Sequence, residues 1–243
     1  MVRERGFWLM LMGLVIVGEL LTRPGLSLTK DGVVHTLRIL EMHRLWEAGV
    51  FYPRWAPDLV FGLGYPLFHF NAPLFPWSGA LAMELGFNPE ASVKLLLALL
   101  IAFGSAGVYR LARRWGIGET GAMVAGLAYA YTPFRVRELY WLGDFPQYMG
   151  LSLLPWVLEA FHAYLREGGW PRYWFAGAMY SLLQLSHSIT AMLGTIVLAG
   201  YVVLVWVAEN LPLRRITRAL KAFVLGIGLA AFFIFPALHD RPL

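Results

Sequence analysis

The sequence predicts an all-α, polytopic membrane bundle, and two observations lead there. Of 243 residues, 58% are hydrophobic and 14% are charged, whereas soluble domains carry about 25% charged residues. The apolar residues also gather in long runs, near 7–21, 73–87, 92–112, 117–134, 148–165, 173–188, 190–208 and 220–238. Most of these approach the roughly 17–25 residues that a helix needs to cross a bilayer. A mean hydropathy of +0.59 agrees.

Composition narrows the function classes. The net charge of +5 calls for no nucleic-acid partner, because the cytoplasmic loops of membrane proteins are rich in Lys and Arg. With no cysteine in the chain, disulfides, thiolate metal sites and cysteine nucleophiles are excluded together. Ten Trp, 11 Tyr and 16 Phe suit interfacial aromatic belts and a site that handles lipid or sugar.

The first run follows Arg3 and Arg5 and ends at Thr22, Arg23 and Pro24. No small-x-small cleavage pattern follows it, so it reads as an uncleaved first span. The 73–87 window is short and holds Pro73, Pro76 and Glu84. Charge decides its status. If it does not cross, Arg3, Arg5, Arg110, Arg113, Arg114, Arg166, Arg172, Arg214, Arg215, Arg218 and Lys221 all fall in cytoplasmic loops, eleven of the twenty Lys and Arg residues. If it crosses, the later clusters land outside, against the positive-inside rule. The sequence therefore predicts about seven spans in a multi-pass cell-membrane protein with a cytoplasmic N-terminus. Segment 23–72 becomes an outer loop with an amphipathic helix, and 73–87 an interfacial or re-entrant helix.

This topology puts three polar segments on one outer face. In the first, Asp31, His35 and Arg38 stand at i, i+4 and i+7 and so share one helix face. Asp31 before Gly32 also suits a helix N-cap. Two readings stay open: a capped, salt-bridged surface helix, or a carboxylate held as general base or substrate clamp. Further on, Phe51 to Trp55 and Phe61 to Asn71 are rich in Gly, Pro and aromatics, which predicts a structured loop, with Arg54 among its candidate substrate contacts. In the second segment, Arg135 and Arg137 oppose the charge bias of an outer loop that also holds Glu138 and Asp144. A phosphate would explain them, since an Arg fork matches phosphate oxygens; so would pairing with Asp31, Asp58 or Glu138. The third is the turn at Ser186, His187 and Ser188, where an ionisable group sits between two apolar runs. No P-loop, dinucleotide fingerprint, HExxH or nucleophile elbow is present.

These motifs form a pattern: Asp-x3-His-x2-Arg at 31–38, Gly-x-x-Tyr-Pro-Arg-Trp at 49–55, Gly-x-Gly-Tyr-Pro-x-Phe at 62–68, a Pro-Phe-x4-Leu-Tyr loop at 133–140, and Ser-His at 186–187. The pattern resembles the group of membrane proteins labelled 6-pyruvoyl-tetrahydropterin synthase-related. More broadly, one span followed by an outer loop with an early acidic residue resembles the GT-C superfamily of polytopic glycosyltransferases. The resemblance implies transfer of a sugar from a polyprenyl-phosphate donor at the outer membrane face. Asp31 would stand where these enzymes keep the acidic residue of their first outer loop, and Asp144 in the region of a second one. His35, Arg38, Arg54, Arg135, Arg137 and His187 are the candidate substrate-binding residues. No cofactor or metal ligand is assigned. Two departures stand out: Leu142, Gly143, Asp144 and Gln147 replace the usual Arg-Gly before a Glu, and the chain is short for the superfamily. The expectation is a single membrane domain over 1–243, the N-terminal part of a longer protein, completed by a C-terminal remainder or a partner subunit. The alternative is a non-catalytic lipid or polysaccharide transporter, or an assembly partner, of the same architecture.

Overall fold

The computed structural model describes Val15, residues 18–26 and residues 29–240. Most of the expected first span lies outside the described residues; its end forms the short helix α1 (Gly18–Thr22). The remaining elements are α2 (Gly32–Glu47), α3 (Leu67–Phe70), α4 (Leu74–Glu84), α5 (Pro89–Arg114), α6 (Glu119–Ala130), α7 (Pro133–Arg137), α8 (Phe145–Glu167), α9 (Trp170–Ser186), α10 (Ser188–Ala208), α11 (Ile216–Leu229) and α12 (Ala231–His239). Among the described residues there is no β-strand, only an isolated bridge between Ala56 and Tyr65. The fold is all-α.

The helices run between two ends. Small residues set the register of their packing. A Cβ on Gly104 of α5 would meet Ser152 of α8, and one on Gly107 would meet Pro155 and Trp156, so α5 and α8 run the same way. Gly150 of α8 approaches Thr190, and Leu154 approaches Gly194, which makes α10 parallel to both. Helices α6, α9 and α11 return in the opposite direction: Tyr129 at the end of α6 donates to the Leu151 carbonyl, and Gly177 and Tyr180 of α9 meet Leu225 and Gly226 of α11. Helix α8 is the central element, with Phe145, Tyr148, Val157, Phe161 and Leu165 buried in the main core. Beside the bundle, α2 and α4 lie in parallel, with Ile39 pressed onto Gly79.

One end carries the charges. Glu159, buried in α8, accepts from Arg114 at 2.7 and 3.0 Å and lies 3.5 Å from Arg110. Arg114 also reaches Glu167 at 2.7 Å, and Glu209 joins buried His162 at 3.0 Å to Arg166 at 2.9 Å. The last carbonyls of α8 accept from Arg215 and Arg218, where cations favour the negative end of a helix. The opposite end holds the N-termini of α8 and α10 and the start of α2.

By length and composition, two described helices can cross a membrane, Pro89–Arg114 and Ser188–Ala208. A third crossing arises if Leu213–Leu229 and Ala231–His239, bent by 72°, form one span. The helices of the other apolar windows fall short of that length or that apolarity. Helix α6 has 12 residues, or about 18 Å at 1.5 Å per residue, short of a hydrocarbon core about 30 Å thick. Helix α4 has 11. Helix α8 is long enough at 23 residues, but it carries Glu159, His162, Arg166 and Glu167.

Candidate functional site

At the end opposite the charges lies a cavity of about 450 Å³, lined by Asp31, His35, Arg38, Asn71, Asp144 and His187 among others. Three separate segments deliver its ionisable residues: the start of α2, the turn before α8 and the turn between α9 and α10.

The turn before α8 is shaped by its backbone. Residues 138–142 form one wide π-type turn, and Gly143 reverses the chain at φ +78°. Its hydrogen atom faces Thr29 and the Gly32 nitrogen, where a Cβ would lie 2.8 Å from that nitrogen. The turn also binds the approach to α2 directly: the Trp141 and Leu142 carbonyls accept from the backbone N–H groups of Lys30 and Asp31. Asp31 and Asp144 thus belong to one backbone unit.

Asp144 is the N-cap of α8. Its Oδ1 accepts from the Gln147 N–H at 3.1 Å, satisfying one of the orphan donors of the first turn. Two histidines flank the same carboxylate. His35 Nε2 stands 3.8 Å from Oδ1, and His187 Nε2 stands 3.6 Å from Oδ2. Both distances exceed a direct hydrogen bond, which leaves room for a bridging group to tighten the set. Burial, with the Arg38 guanidinium and His187 adding to it, holds the His35 imidazole down at about 3. It is therefore neutral at ordinary pH, and its approach to Asp144 is a polar contact rather than an ion pair. His35 Nδ1 has no hydrogen-bond partner among the described residues.

His187 is itself a helix N-cap. It sits in extended backbone (φ −158°, ψ 122°), and its Nδ1 accepts from the Thr190 N–H at 3.3 Å. The Thr190 hydroxyl lies 2.9 Å from the same nitrogen. Two helix N-termini therefore meet through their cap side chains, and both positive ends point at the cavity.

Arg38 supplies the cation. Its Nε is buried without a hydrogen-bond partner among the described residues, and desolvation lowers its pKa against the raising influence of Asp144, Tyr65 and Asp31. Asp31 occupies the N-cap position of α2, yet its side chain makes no capping hydrogen bond.

The cavity does not gather every candidate from the sequence. Arg135 is 2% exposed; its guanidinium lies between the rings of Tyr129 and Tyr148, at 4.5 and 4.2 Å, and donates to Ser152 at 3.0 Å. Stacked in the core as a cation between two π faces, it is removed from the cavity wall. Arg137 lies over Phe134 and Trp141, 4.0 Å from Glu138. Arg54 lies over Tyr52. None of the three lines the cavity. Sequence reading passed over Thr190, although His187 followed at the third position by Thr190, before an apolar run, has the spacing of a helix start. It gave no role to Asn71. Glu138, fully buried, has its pKa raised by desolvation and by the charge of Asp144. Among the described residues, no group of three or more His, Asp or Glu has the arrangement to hold a metal ion.

The comparisons with known proteins bear on this geometry. The family described as "6-pyruvoyl-tetrahydropterin synthase related domain; membrane protein" matches residues 68–242. The chain belongs to that family. The matched segment contains Asp144 and His187, while α2, with Asp31, His35 and Arg38, precedes it. No curated protein and no solved structure matches the chain.

Proposed function

We propose that the cavity transfers a sugar from a polyprenyl-phosphate donor, in the manner of GT-C glycosyltransferases. One observation carries the reading: Asp31, Asp144, His35, His187 and Arg38 line a single cavity, although they come from three segments of the chain. Such transfer needs a carboxylate to take the acceptor's proton and a cation for the leaving phosphate. Arg38, with its buried Nε free, fits the phosphate role better than Arg54, Arg135 or Arg137, because only Arg38 lines the cavity.

The same reading places the cavity at the outer membrane face. Seven spans with a cytoplasmic N-terminus would put the arginine-rich end of the bundle in the cytoplasm, as the positive-inside rule favours. The short helix α4 then stays on the outer side. The membrane-lipid donor reaches the site from the bilayer.

The test is release of polyprenyl phosphate from a polyprenyl-phosphate-linked hexose by the full chain in proteoliposomes, with a membrane extract supplying acceptor. Release that falls at least tenfold in Arg38→Gln is expected. Facilitated passage of the lipid-linked sugar without its cleavage would instead favour the transporter.

A further inference from the structure

We propose that Asp144, rather than Asp31, takes the acceptor's proton, and that His187 is the residue that positions it. The assignment rests on the transfer reading above and adds the division of labour between the two carboxylates.

The cap of α10 sets the His187 tautomer. A backbone N–H carries its hydrogen in a fixed place, so the Thr190 N–H that points at His187 Nδ1, 3.3 Å away, makes that nitrogen an acceptor. In a neutral imidazole the proton then resides on Nε2. Nε2 is the atom that faces Asp144 Oδ2 at 3.6 Å. The first turn of α10 thereby aims an N–H donor at one oxygen of the carboxylate. His is an uncommon N-cap beside Ser, Thr, Asp and Asn; here one ring both caps the helix and addresses the cavity.

The two oxygens of Asp144 differ in consequence. Oδ1 is engaged by the Gln147 N–H at 3.1 Å and approached by His35. Oδ2 faces His187 Nε2, and is the oxygen left for a substrate hydroxyl. The Gln147 N–H at the N-terminus of α8 fixes the carboxylate, and the two imidazoles flank it. Asp31 has no comparable support: it is exposed, and it makes no capping hydrogen bond.

In the proposed step the acceptor oxygen attacks the anomeric carbon of the donor sugar and forms the new glycosidic bond. The bond from that carbon to the phosphate oxygen breaks, and its electron pair leaves with the phosphate beside Arg38. The acceptor's proton passes to Asp144 Oδ2 and returns to solvent once the product departs. His187 keeps its own proton throughout and orients the carboxylate.

Two measurements on the full chain test this. In the first, nitrogen NMR of histidine-labelled protein, assigned with His187→Gln, reports the tautomer without reference to any activity. The expected result is a bare Nδ1 and a protonated Nε2, with the Nε2–H signal moving in Asp144→Asn; a protonated Nδ1 overturns the proposal. In the second, donor turnover is followed. A general base contributes about 10²–10⁴-fold, so Asp144→Asn should fall at least 100-fold and Asp31→Asn less than tenfold. His187→Gln should lower kcat about tenfold at unchanged KM and shift the acid limb of the kcat–pH profile. The reverse order of Asp31 and Asp144 overturns the proposal. Absence of turnover in the unmodified protein would count against the transfer reading alone, and the NMR result would still decide the His187–Asp144 geometry.

Discussion

Gly143→Ala tests whether the turn before α8 builds the cavity. Gly143 has φ +78°, a conformation that costs a residue with a Cβ about 1–2 kcal/mol. The added carbon would lie 2.2 Å from Thr29 Oγ1, 2.7 Å from Thr29 Cβ and 2.8 Å from the Gly32 nitrogen. The Thr29 side chain can rotate, but it would surrender the hydrogen bond it accepts from Gly32 at 3.1 Å, worth about 0.5–1.5 kcal/mol. The Gly32 nitrogen is backbone and moves only with the start of α2. That motion loosens the bonds from Lys30 and Asp31 to the Trp141 and Leu142 carbonyls. The total is about 2–4 kcal/mol, which lowers the melting temperature by about 4–16 °C at about 2–4 °C per kcal/mol. Thermal melting in nanodiscs provides the assay, with Gly228→Ala as control, since a Cβ there meets nothing within 4 Å. A Gly143→Ala protein that melts within 1 °C of the unmodified chain would refute the reasoning, because strain and contact both predict a loss.

Three further outcomes are expected. His35 is held neutral with its pKa lowered from 6.5 to about 3, so the unfolded chain binds the proton first: stability is intact above pH 6.5, falls as the pH drops below it and levels off near pH 3. At 1.36 kcal/mol per unit the loss is about 2 kcal/mol at pH 5 and at most about 5 overall, and acid titration of His35→Gln should show a shallower decline. Glu159→Gln leaves Arg114 without its buried carboxylate and should cost about 3 kcal/mol in chemical denaturation, without altering the His187 tautomer at the other end. Arg38→Lys replaces a fork with a point charge and should raise the KM for a polyprenyl-phosphate donor about tenfold, with a smaller change in kcat.

What the sequence revealed depended on whether a property is local. Asp31, His35 and Arg38 lie on one cavity wall because helical spacing alone puts i, i+4 and i+7 on one face. The charged clusters at 110–114, 166–172 and 214–218 collect at one end of the bundle because they follow the ends of apolar runs. Properties that depend on packing were hidden. Arg135 and Arg137 sit two residues apart in a polar loop and look alike; only the tertiary fold shows that Tyr129 and Tyr148 enclose the first and that the second stays half-exposed. The apolar window at 148–165 reads like any span, yet it became the buried centre of the bundle, with Glu159 bound to Arg114 and His162 to Glu209. The meeting of two helix caps across the cavity joins Asp144 to His187, 43 positions later in the chain, a separation that no local pattern encodes.

The most direct test of the account compares release of polyprenyl phosphate from a polyprenyl-phosphate-linked hexose by the unmodified chain and by Asp144→Asn, side by side in proteoliposomes. The account predicts release by the unmodified protein and a loss of at least 100-fold in the variant, with both proteins equally folded by thermal melting. Equal release from the two would contradict it.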